Sequence, residues 1–177
     1  MRRPLRLALA ALAIASSVQF PVAADPAHPP ASPARSLAIG GGVERTLDLT
    51  VDDLRKHPAA QIAELQLPGK DGAGTSTVRG VRLRDLLDEA KVVTRDHHTV
   101  KKLMVVATAS DGYAVVFSWS ELFNTAVGDS VLVLFERDGK PLAPEEGPLA
   151  LISGKDLRTG PRHVKWLQSV NVRQVVD

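Results

Sequence analysis

The chain of 177 residues has no cysteine. No disulfide can staple the fold, and no thiolate is available as a nucleophile or a metal ligand. Aromatic residues are scarce: four phenylalanines, two tryptophans and one tyrosine. The sequence also lacks a Walker loop, a dinucleotide fingerprint and a nucleophile elbow. Its five histidines are scattered. His97 and His98 are adjacent, so they point apart on any regular element, and nothing has the spacing of a zinc or iron site. No metal site and no catalytic residue is expected from these patterns.

A strong charge of one sign is missing too. The formal charge of +2 hints at an acidic partner, but much of the excess sits in the first residues. "MRRPLRLALAALAIASSVQFPVAAD" has a basic start (Arg2, Arg3, Arg6), an apolar run from Leu7 to about Ile14, and a small-residue site at Val22-Ala23-Ala24. This pattern predicts a signal peptide over residues 1–24, cleaved before Asp25, and a periplasmic protein. The apolar run is short for a bilayer span. Cleavage removes three of the 22 basic residues and none of the 20 acidic ones, leaving 19 against 20. No nucleic-acid signature remains. Residues 25–35, "DPAHPPASPAR", read as a stiff proline-rich linker, and residues 36–177 as one domain with apolar content sufficient for a core.

The domain has an α+β pattern: a mixed, curled sheet with short helices rather than a doubly wound one. "SLAIGG", "VERTLDLT", "AQIAELQLPG", "KKLMVVATA", "YAVVFS", "VLVLFERDGKPL", "GPLALIS" and "HVKWLQSVNVRQV" read as strands. Asp111-Gly112 and Asp138-Gly139 supply turn signals. Thr50 with Asp53, and Ser118 with Glu121, have capping-box spacing. "VRGVRLRDLLDEA" switches to helical period, with Val81 leading to Leu83, Leu86 and Leu87.

Two stretches are candidate sites. In "SDGYAVVFSWSEL", Phe117 or Trp119 can offer a stacking face, and Glu121, with Asp111 second, can accept two parallel hydrogen bonds from an amidine-like edge. Stacking plus a carboxylate suits a pterin or guanine ring. The bland alternative makes Tyr113, Phe117 and Trp119 core. In "RTGPRHVK", Arg158, Arg162, His163 and Lys165 can face an anion or polar ring, or simply be a solvated loop.

"VRGVRLRDLLDEA", "ASDGYAVVFSWSEL", "DGKPL", "EGPLALI" and "RHVKWLQSVNV" occur in an order and spacing that resemble the sulfite-oxidase-like molybdopterin-binding fold, across nearly all of residues 37–176. The resemblance implies a pterin-binding site drawn from Arg79, Asp111, Tyr113, Phe117, Trp119, Glu121, Ser153, Arg162, His163 and Lys165. Arg79 enters through the "RGV" segment and Ser153 through "GPLALIS". The family's enzymes place a cysteine on molybdenum in the loop before "RGV", here "GKDGAGTSTVRG". Ala150 stands where an arginine is common. These departures resemble a small exported branch of pterin-binding sensors. That likeness implies a reduced pterin such as a tetrahydropterin, no molybdenum, and more a regulator than an enzyme. The implied partner is the periplasmic domain of an inner-membrane diguanylate cyclase or phosphodiesterase. A molybdopterin-binding oxidoreductase or its accessory subunit is the alternative, and a structural domain without a ligand is the third reading.

Overall fold

The computed structural model describes residues 35–68, 74–94 and 96–175. The expected signal peptide, residues 1–24, and nearly all of the expected linker lie outside them. Among the described residues, ten strands form two five-stranded sheets. The first runs in the order β2 (Leu47–Thr50), β1 (Ser36–Gly41), β10 (Leu167–Gln174), β5 (Leu103–Ala109), β6 (Ala114–Ser118). It is mixed, because β1 pairs parallel to β10 while its other ladders are antiparallel. The second is antiparallel: β3 (Ile62–Pro68), β4 (Thr75–Arg82), β7 (Val131–Arg137) and β8 (Lys140–Pro141), with β9 (Ala150–Ser153) also on β7.

Strand β7 explains how the sheets share a core. Its run "VLVLF" is buried at every position because both faces are covered. Val131, Val133 and Phe135 join the main core with Leu37, Val105, Phe117 and Val170. Leu132 and Leu134 face a smaller cluster with Leu67, Val78, Leu142 and Ile152.

Local signals act as read in most places. Thr50 and Asp53 form a reciprocal capping box on helix α1 (Val51–Arg55). Asp138 and Gly139 both take positive φ, 51° and 73°, as the tight β7–β8 hairpin requires. Two expectations are corrected. Val78–Arg82 belongs to β4, because pairing with β3 and β7 overrides the helical period; helix α2 covers only Leu83–Ala90, and a short helix α3 follows at His97–Val100. Ser118 caps helix α4 (Trp119–Asn124) by accepting from the Glu121 N–H, but the Glu121 side chain turns to Arg162 instead of closing the box.

Candidate functional site

A cleft of about 700 Å³ opens on the outer side of the second sheet. Leu67, Pro68 and Ile152 give it an apolar wall, and Leu67 and Ile152 belong to the smaller core cluster. Thr75, Ser76, Arg137, Glu146, His163 and Lys165 give it a polar one.

Among its lining residues is Glu146, only 7% exposed. Arg137 grips it at both oxygens, Nε to Oε2 at 3.0 Å and Nη2 to Oε1 at 2.7 Å, and His163 Nε2 lies 2.8 Å from Oε1. Burial opposes its ionisation, but the hydrogen bonds from His163 and Arg137 outweigh that and lower its pKa to about 2. Arg137 also donates to the Ser76 hydroxyl, which donates to Asp138. Asp138 accepts the Thr77 N–H as well, and these two bonds hold its carboxyl below the ordinary range.

The backbone fixes both halves of this cluster. Val164 and Leu151 exchange two backbone hydrogen bonds, setting His163 beside β9. Trp166 donates its N–H to the Glu146 carbonyl at 2.8 Å, and its indole donates to Pro144. Gly147 has φ +89°, and a Cβ there would meet Trp166 Cδ1 at 2.5 Å, so only glycine lets the two segments close.

A second cluster forms around Arg162. Its guanidinium binds both oxygens of Asp156, donates to Glu121 at 2.8 Å, and lies over the Phe117 ring at 4.5 Å from the centroid. The buried Ser153 hydroxyl donates to Asp156. Arg162 above all, then Ser153, holds the Asp156 carboxyl below its usual range, and Arg162 is pushed higher still. Tyr113 ties the same loop down by donating its hydroxyl to the Pro161 carbonyl at 2.7 Å.

The expected site residues therefore divide. His163 and Lys165 line the cleft. Phe117, Glu121, Arg162 and Ser153 meet in the second cluster. Phe117 is fully buried beneath Arg162, so it offers no open stacking face, and Glu121 is occupied by the guanidinium. Trp119 stacks on Phe123 at 4.8 Å, one helical turn away, against the main core. Asp111 accepts the Tyr113 N–H within its own turn. Arg79 sits between Glu64 and Glu136, 3.8 Å from each, away from the cleft. Sequence reasoning missed Thr75, Ser76, Arg137 and Glu146. Glu146 lies in the quoted "EGPLALI", but its partners are 9 and 17 residues away.

Two sheets with short helices carry a cleft beside their strand-ending loops, and comparison with known proteins gives this architecture its class, the sulfite-oxidase-like fold. The model of the oxidoreductase molybdopterin binding domain matches residues 27–176, and the chain belongs to that family. A solved structure with the same fold is the sulfane dehydrogenase SoxCD from Paracoccus pantotrophus, with a TM-score of 0.58 and 23% identity. The match covers 77% of this chain and 37% of that one. No curated protein matches.

The family corrects one expectation, that of a bare pterin without molybdenum. Molybdopterin binding defines the family, which points to a molybdenum cofactor. The missing cysteine takes away one protein ligand; it does not take away the cofactor's own hold on a metal.

Proposed function

We propose that the cleft binds a molybdopterin-type cofactor, and that the domain is the cofactor-bearing part of an oxidoreductase or of its accessory subunit. One observation carries this reading: within a chain of this family, the cleft combines an apolar wall with a fixed set of polar groups, the usual make-up of a cofactor site. The donor set fits the organic part of the group. Leu67, Pro68 and Ile152 suit a ring face, the Thr75 hydroxyl suits a ring heteroatom, and Lys165 suits an anionic group. Lys165 is exposed and has no ion pair among the described residues, so its charge is uncommitted. Arg137 is committed to Glu146 and positions the cleft wall rather than the ligand. When bound, the cofactor supplies redox chemistry; the chain's residues bind it, orient it and shield one face from water.

The N-terminal basic-then-apolar segment supports placing this domain in the periplasm. A regulator acting on the periplasmic domain of a membrane cyclic di-GMP enzyme is the second reading, favoured by the chain's lack of cysteine.

The test is chemical analysis of full-length protein from cells that make the cofactor. One pterin released per chain on denaturation, with molybdenum in matching amount, is expected. Protein with neither would overturn the reading.

A further inference from the structure

His163 stands apart from the other polar groups of the cleft. Its Nε2 faces Glu146 Oε1 at 2.8 Å, and Glu146 is itself immobilised by the two-point grip of Arg137. Glu146 accepts a guanidinium N–H at each of its oxygens, so it acts as an acceptor toward the ring as well. Nε2 must therefore be the donor. The ring's other nitrogen, Nδ1, makes no hydrogen bond among the described residues. This tautomer is assigned from the partner's chemistry.

An imidazole that donates from one nitrogen to an anchored carboxylate and keeps the other nitrogen bare is arranged as metal-ligating histidines are. The carboxylate fixes the ring and raises the basicity of the free nitrogen. The competing donors are weaker candidates. The chain has no thiolate. Both oxygens of Glu146 are engaged, and Asp138 already accepts from Thr77 and Ser76. Glu145 lines the cleft but is exposed, with no hydrogen bond among the described residues to aim it.

We infer that His163 Nδ1 is the protein ligand to the metal of the cofactor held in this cleft. The inference rests on the proposed cofactor site. A single nitrogen cannot retain a metal alone, in keeping with the lack, among the described residues, of any group of three or more ligating side chains. The cofactor must bring the other donors.

The test uses full-length protein loaded in cells that make the cofactor, grown with ordinary or nitrogen-15 histidine. Pulsed electron paramagnetic resonance of the metal's paramagnetic state reads nitrogen bonded directly to it. The expected result is a nitrogen coupling that changes on isotope substitution and is absent in His163→Asn. Glu146→Gln should keep the coupling while metal is lost to a chelator about 10–100-fold faster, the usual effect of removing a ligand's carboxylate partner. His163 is the only histidine lining the cleft among the described residues, so the labelled wild type decides alone if the His163 variant fails to fold. Pterin and molybdenum present with no change on labelling would overturn the inference and leave the cofactor site standing. Absence of both would remove the site and the inference together.

Discussion

Arg162 and His163 are neighbours in sequence, yet they serve two clusters with opposite characters. Arg162 faces inward over Phe117, its charge satisfied by Asp156 and Glu121. His163 faces the outer cleft, one nitrogen on Glu146 and the other without a partner among the described residues. The first is a closed set in which each charge has its opposite, fastening the loop of residues 154–162 to β6 and α4. The second is anchored on one side and open on the other. Polar residues close in sequence need not share a duty. A structural cluster satisfies all its members, whereas a binding site leaves some unsatisfied.

That contrast is broken or sharpened most strongly at Phe117. Phe117→Ala should cost about 3–5 kcal/mol, read as a drop in the urea midpoint. Arg162→Ala should cost toward the lower end of ~3–5 kcal/mol, because it strands two partly buried carboxylates. Cofactor content of whatever folds should be little changed in either. Lys165→Ala should do the reverse. Its unfolding free energy should stay within about 0.5 kcal/mol of wild type, while cofactor affinity falls about tenfold or more, since a charged hydrogen bond contributes ~1.5–3 kcal/mol and 1.4 kcal/mol is tenfold. Competitive titration measures the affinity.

Acid separates the clusters less sharply. Glu146 and Asp156 both have lowered folded pKa values, so their contribution to stability is complete above the ordinary carboxylate range. It is lost as pH falls below that range, and for Glu146 the loss continues down to about 2. Urea unfolding at stepped pH should be flat near neutrality and decline from about pH 4.5 downward, less steeply in Glu146→Gln. The smallest effect is at the α4 cap, where Ser118→Ala should cost about 1 kcal/mol by freeing the Glu121 N–H, seen as a modest fall in Tm.

The sequence was most legible where the determinants are local. Thr50 with Asp53 and Asp138 with Gly139 carry their own geometry within four residues. The pattern of "AVVFS" also held the answer for Phe117. Val115 and Phe117 point in, while Ala114, Val116 and Ser118 point out, so the alternation assigns Phe117 to the core. The division into two sheets was not legible, because it depends on distant pairings such as β1 with β10 and β7 with β9. In the site, "RHVK" was visible as a basic run, but the partner of each member was not. Glu121 is 41 residues from Arg162, and Glu146 is 17 from His163. The sequence hint of Glu146 was a carboxylate directly before a Gly-Pro pair, in "EGPLALI".

The most direct measurement compares cofactor retention in two variants made in the same cells. Lys165→Glu places a negative charge in the cleft, and Glu121→Gln alters the closed cluster while keeping a hydrogen-bond acceptor for Arg162. Pterin fluorescence after denaturation, divided by protein concentration, reads both. The account predicts loss of most pterin from Lys165→Glu and wild-type content in Glu121→Gln. Full retention in Lys165→Glu with loss in Glu121→Gln would contradict it and move the site to the Arg162 cluster.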